Sequence, residues 1–288
     1  MDVVQLIVNG LLLGGVFALS ALGFNIIFGV MRVVNLAHGD VVVLAAMLCA
    51  FAFGALGLNP FVMLPATIVV GFLAGAAIHR FLLRRLPGEI ASAEASSLTL
   101  TFGLSFFLAG GGLAIFGGSF RSVPYLTDAF QVAGISIPQA KLVAFASALL
   151  LAVVLGAFLR FTALGCAIRA TSQHVEGALA CGVDIDRVRT LSFAVGTAVA
   201  AAAGTLMSMI YNLNPQMGVE FTVNAFAVVV IGGLGSYAGC ILGAMILGLA
   251  NAFTSYYVGA SLSEAAPYVL FILVALLRPS GLLGRRTA

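Results

Sequence analysis

The fold class predicted by this sequence is an all-α polytopic membrane protein, a bundle of about eight (eight to ten) transmembrane helices with two of them interrupted. Three observations carry it. Of 288 residues, 62% are hydrophobic and 8% charged, against about 25% charged in soluble domains, and mean hydropathy is +1.17. The apolar residues come in unbroken runs of spanning length, not in the strand-length alternation of a β-barrel. Glycine is abundant, at 34 residues, as expected where helices approach closely or are broken.

Spans are expected at Gln5 to Val30, Val41 to Gly57, Phe61 to Leu83, Leu98 to Gly117, Leu142 to Leu159, Leu191 to Tyr211, Phe221 to Tyr257 and Pro267 to Leu277. A hydrocarbon core of about 30 Å takes about 20 helical residues, so the fifth run barely suffices. The seventh, at 37 residues, must bend, break or cross twice. Gly232-Gly233-Leu234-Gly235-Ser236-Tyr237-Ala238-Gly239 supplies the place, because each glycine weakens a helix interior by about 1 kcal/mol and permits positive φ.

The second interruption is a polar island, Arg32-Val33-Val34-Asn35-Leu36-Ala37-His38-Gly39-Asp40. It lies between runs without a charged residue, Val3 to Met31 and Val41 to His79. Two readings compete: a solvated loop, or a break at membrane depth facing a substrate path. On the second reading Asn35 caps a helix beginning near Leu36 to Gly39, Gly39 permits close backbone approach, and the freed amides face a substrate carboxylate. Arg32 is expected at the inner interface, since burying it at membrane depth is costly. His38 and Asp40 lack the further ligands a metal site needs. Interrupted segments in both halves of a chain point to a central site in transporters, so the candidate substrate path is Asn35, Ala37, His38, Gly39 and Asp40 with Gly232, Gly233 and Gly235.

Lys and Arg set the orientation. Arg80, Arg84 and Arg85, then Arg160, Arg169, Arg187 and Arg189, then Arg278, Arg285 and Arg286 collect ten of the 13 basic residues on one side, the cytoplasm. Gly118 to Lys141 and Asn212 to Glu220 then fall outside. The basic residues are scattered near helix ends, which speaks for a lipid bilayer as partner and against nucleic acid. Cys49, Cys166, Cys181 and Cys240 form no C-x-x-C pair and are expected as free thiols. Met1-Asp2 lacks a basic n-region and the first run exceeds a signal h-region, so that run is expected to stay as the first helix.

The whole chain, 1–288, reads as one membrane domain with a cytoplasmic segment at 161–190. That segment carries Arg169, His174, Glu176, Asp184, Asp186, Arg187 and Arg189. It reads as short helices separated by Gly182, with Asp184 or Asp186 capping the next helix. Ile168, Val175, Ala178 and Leu179 give it an apolar face to bury, on its own membrane domain or against a soluble partner.

Glu176-Gly177-Ala178-Leu179-Ala180-Cys181-Gly182 resembles the E-A-A-x-x-x-G loop of ATP-binding-cassette importer permeases, with Glu176, Ala178 and Gly182 at the motif spacing and Gly177 departing from it. The island resembles the N-[FL]-A-H-G-[DE] signature of the LivH-type branched-chain amino-acid permeases. Asn224 to Ser236 is similar to a second signature of the same superfamily, which includes ribose-type sugar permeases. The resemblance implies one membrane subunit of an ATP-driven importer in the bacterial inner membrane. It further implies pairing with a second, LivM-like permease, two cytoplasmic ATPase subunits gripping Glu176, Ala178 and Gly182, and an extracytoplasmic substrate-binding protein. No cofactor is expected in this chain: it has no G-x-x-x-x-G-K-[ST] loop, so ATP would be bound by the partner subunits. A urea or short-amide permease shares these signatures. A secondary transporter would need coupling carboxylates within the spans, where Asp40 is the one candidate, and an intramembrane enzyme would have only His38 and Asp40.

Overall fold

In the computed structural model, residues 3–85, 90–132, 134–263, 265–278 and 280–284 are described; Met1, Asp2, Arg285 and Arg286 lie outside them. The helices are α1 (Val3–Met31), α2 (His38–Leu56), α3 (Pro60–Phe81), α4 (Ile90–Phe116), α5 (Gln139–Phe161), α6 (Ala163–Gln173), α7 (Val175–Ala180), α8 (Ile185–Met207), α9 (Gly218–Gly232), α10 (Tyr237–Tyr257), α11 (Ala260–Ser263) and α12 (Ala266–Leu277). A two-stranded antiparallel hairpin, β1 (Ala129–Val132) and β2 (Ile135–Pro138), precedes α5. Among the described residues eight helical segments are long and apolar enough to cross a membrane, and α12 is a shorter apolar helix. The chain is thus the polytopic helical protein its composition predicts, and the long seventh run is divided into α9 and α10 at Gly233–Ser236.

The ends of the bundle sort by charge. Arg84 pairs with Asp186 at 3.2 Å, and His79 bonds the Thr190 hydroxyl at 2.9 Å, so the ends of α3 and α8 meet at the basic, inner end. At the other end Gln5 donates to the Ser136 carbonyl, which places the start of α1 beside the hairpin, on the outer face. All four cysteines are free thiols, Cys49 and Cys240 buried, Cys166 and Cys181 exposed.

Glycine sets how closely the long helices cross. Gly23 of α1 and Gly196 of α8 face each other, and a methyl group on either would lie 2.6 Å from the other's carbonyl oxygen. Gly10 and Gly14 bring α1 onto α10 at Ala244 to Leu249, and Gly71 and Gly75 bring α3 onto α8 at Ala194 to Ala201. The two packings correspond: α1, a break, α2 and α3 are matched in the second half by α8, a break, α9 and α10. Within a bilayer such backbone approach supplies the dispersion that water exclusion supplies elsewhere. Replacing Gly196 by Leu is expected to cost about 1–3 kcal/mol through overpacking against Ile27 and Gly23. Gly54→Ala, at an exposed position of α2 with open space around it, is expected to leave thermal stability unchanged or higher; melting in detergent compares the two.

Candidate functional site

α1 ends at Met31 on the inner face, yet α2 does not start there. His38 Nε2 donates to the Ser20 carbonyl at 3.1 Å, and Ser20 lies eleven residues before Met31 on α1. At 1.5 Å per residue that is about 16 Å into the bundle. Arg32 to Ala37 are non-helical and climb to that depth, and α2 continues from it to the outer face. Of the two sequence readings of the island, the structure takes the break at membrane depth: Asn35, Ala37, His38, Gly39 and Asp40 are all buried.

Residues 208–217 form the matching break. They leave α8 at the outer end, where Arg121 and Leu213 exchange backbone hydrogen bonds at 2.8 and 2.9 Å and Val123 N–H reaches the Ser208 carbonyl. The segment then turns inward, with Leu213 and Pro215 buried, and α9 begins at Gly218 against Asp40. The expectation of a plain outer loop at Asn212 to Glu220 is corrected here: backbone polar groups at this depth are tolerated because neighbouring segments satisfy them. The break that mirrors the island is this one, one helix earlier than the glycine cluster.

α2 and α9 meet start to start. A Cβ on Gly39 would lie 1.9 Å from the Gly218 carbonyl oxygen, and one on Gly218 would lie 1.9 Å from an Asp40 carboxylate oxygen. The Thr222 hydroxyl on α9 closes the contact, accepting from Gly39 N–H at 2.8 Å and donating to the Leu36 carbonyl at 2.9 Å. The Asn35 side chain accepts from Ala37 N–H at 3.1 Å and its carbonyl accepts from His38 N–H. Two expectations change accordingly. Ala37, not Asn35, stands at the N-cap of α2, with Asn35 turning the chain two residues before it. The amides of Ala37, His38 and Gly39 are also not free for a carboxylate, because Asn35 and Thr222 hold all three.

Asp40 sits in the first turn of α2, where a negative charge suits the helix dipole. Ser105 of α4 lies beside its carboxyl. Ser97, Thr101 and Ser105 form a buried stripe one turn apart along α4, facing the climbing segment, with Thr101 Oγ1 at 3.5 Å from the Val34 carbonyl. His38 packs edge-on to Phe24. Because a carbonyl can only accept, His38 Nε2 carries the proton, and a neutral ring then has Nδ1 as an acceptor. Among the described residues, His38 Nδ1, Asp40 Oδ2 and Ser20 Oγ are buried without a partner. No group of three or more His, Cys, Asp or Glu that could hold a metal occurs among those residues.

The remaining candidates lie at the inner end. Gly233, with φ +103, ends α9, and Gly235 N–H donates to Asn25 Oδ1 at 2.9 Å. Gly232 packs against the Gly239 backbone and accepts from Leu283 N–H of the C-terminal segment. Gly232, Gly233 and Gly235 are therefore an inner turn, apart from the Asn35 to Asp40 group. Glu176 and Ala178 belong to α7, where Glu176 and Leu179 are exposed and Ala178 is buried, and Gly182 (φ +79) turns the chain toward α8. Asp184 caps α8 by accepting from Arg187 N–H, which settles the choice between Asp184 and Asp186.

Gly218, Thr222, Ser105 and Ser20 were not singled out from the sequence. Thr222 lies two residues before Asn224, the first residue of the second signature stretch, and Gly218 follows a Pro in an Asn-rich stretch that reads as a surface turn. The Thr222 partners Gly39 and Leu36 lie 183 and 186 residues away, out of reach of any local pattern.

A helical membrane domain with two re-entrant segments meeting at mid-depth, and a short helix pair held beyond its inner end, defines a transport subunit. The chain belongs to the branched-chain amino acid transport system permease component family, whose model matches residues 6–276. It is 31% identical to the high-affinity branched-chain amino acid transport system permease protein LivH of Escherichia coli K12 over 98% of this chain and 95% of that protein. It is also 31% identical to the corresponding BraD protein of Pseudomonas aeruginosa, over the same shares. The ribose import permease protein RbsC of Haemophilus influenzae is 25% identical over 94% of this chain and 84% of its own length.

Thr222→Val is expected to leave Gly39 N–H and the Leu36 carbonyl unpaired and to destabilise the protein by about 1–3 kcal/mol. Thr222→Ser keeps the hydroxyl and is expected to stay close to wild type. Thermal unfolding together with hydrogen exchange at Gly39 reads both.

Proposed function

We propose that this chain is one of two permease subunits of an ATP-binding-cassette importer for branched-chain or related amino acids in a bacterial inner membrane. The second permease is LivM-like, two cytoplasmic ATPase subunits bind and hydrolyse ATP, and an extracytoplasmic binding protein delivers the substrate. The observation that carries this reading is the family match over residues 6–276 combined with α7, which stands at the inner end with Glu176 and Leu179 exposed. A six-residue helix anchored by buried Ala178 and flanked by two tight turns is a rigid knob suited to a cleft on a soluble partner.

The substrate path in this proposal runs beside α4, between the junction of α2 with α9 and the second permease. α4 lines the junction with its hydroxyl stripe, while its other side exposes Phe102, Phe106 and Phe107, with open space at Gly103, Gly110 and Gly111. A partner packed on that side would enclose the stripe. The ammonium of an amino acid is matched by two buried acceptors, His38 Nδ1 and Asp40 Oδ2. Gly39 and Gly218 leave no room for a substrate between α2 and α9 as they stand, so passage requires the junction to part.

Reconstitution with the ATPase subunits and binding protein tests the assignment. ATP-dependent leucine uptake is expected, abolished by Glu176→Lys and by Gly182→Val with loss of ATPase co-purification while membrane insertion persists. Uptake by this chain alone, without ATPase subunits, would instead mark a secondary transporter.

A further inference from the structure

The inner end of the island holds a backbone conformation that its sequence makes costly. Arg32 has φ +56, in the left-handed region, at the point where α1 stops; its N–H still bonds the Phe28 carbonyl at 2.8 Å. Helices commonly end on a residue in this conformation, but the residue is usually Gly, sometimes Asn, because a Cβ is strained there. Here an arginine occupies it. Its guanidinium reaches the Ser172 carbonyl at 3.3 Å. Ser172 lies in the last turn of α6, where carbonyls lack helical partners and the helix end is partly negative. Val30 and Met31, just before Arg32, pack with Ile168 of α6 and Val188 of α8. Two residues after Ser172, His174 caps α7 by accepting from Gly177 N–H.

The outer end uses the same chemistry. Arg121 pairs its backbone with Leu213 in the second break, and its guanidinium donates to the Phe116 carbonyl, the last residue of α4, at 3.1 Å. Each break is thus tied by an arginine to the carbonyl end of a neighbouring helix. At the inner face that helix is the one leading directly into α7.

We infer that Arg32 is a positioning residue that couples α6–α7 to the first re-entrant segment, so that displacement of α7 is passed along Val33 to Ala37 to the junction at Gly39. The inference rests on the proposed role of α7 as the ATPase contact. The strained backbone is retained because only a long cationic side chain at that corner spans from the end of α1 to the end of α6.

Arg32→Gly separates coupling from folding, since glycine relieves the left-handed backbone while removing the tie. In proteoliposomes holding the complete complex, this variant is expected to assemble with its ATPases and to melt no lower than wild type. Uptake per ATP hydrolysed should fall about tenfold, within the usual range of coupling between sites. Arg32→Lys, which keeps a cation of similar reach, is expected to recover part of the loss. Wild-type uptake per ATP in Arg32→Gly would overturn the inference, and so would failure of that variant to assemble, because the contact would then be merely structural. Failure of the underlying assignment looks different: Glu176→Lys would then leave ATPase binding and uptake intact.

Discussion

The contact between Gly39 and Gly218 fixes the rest of this molecule. α2 and α9 start at the same depth, each after a break in the long helices let in from an opposite face, and their backbones touch because neither residue has a side chain. Thr222 then does with one hydroxyl what two missing backbone partners would do, accepting from α2 and donating to the segment before it. At membrane depth such groups have no water to fall back on. The long helices α1, α3, α8 and α10 form the frame around this point, held close by their own glycines.

The arrangement gives each face of the membrane its own line to the centre. From the inside, α6, which runs on into α7, touches the island at Arg32, and the island leads to α2. From the outside, the stretch around Arg121 and Val123 pairs with residues 208–213, which lead to α9. The lines converge where Asp40 packs on Gly218, beside the hydroxyl stripe of α4. On the proposed function, substrate arriving at one face and ATP-driven force at the other would both act through this pair of backbone contacts.

Much of this was legible in the sequence. The 37-residue apolar run containing Gly232 to Gly239 had to break, and it does, between α9 and α10. The charges and glycine of the island, set between two uncharged runs, allowed a solvated loop or a break at depth; the structure has the break, with Gly39 as its close approach. Glu176, Ala178 and Gly182 stood out by resemblance to the E-A-A-x-x-x-G loop and fall on one short helix and the turn after it. The segment before α9 was not legible. Asn212, Asn214 and Pro215 carry the signature of a surface turn, and only the folded chain shows Leu213 and Pro215 buried there. Thr222 was equally silent, because a threonine in an apolar helix most often bonds its own backbone, and its role appears only with the Gly39 amide brought to it from the other half of the chain.

If the junction is the part that opens for substrate, its hydrogen bonds must break during the transport cycle. Hydrogen exchange at the amides of Ala37, His38 and Gly39, followed in the complete complex without nucleotide and again with hydrolysis trapped, tests this most directly. Strong protection in one state and at least about tenfold faster exchange in the other, the equivalent of about 1.4 kcal/mol of lost local stability, is the predicted result. Equal protection of all three amides in both states would show that α2 and α9 stay joined and that substrate passes elsewhere.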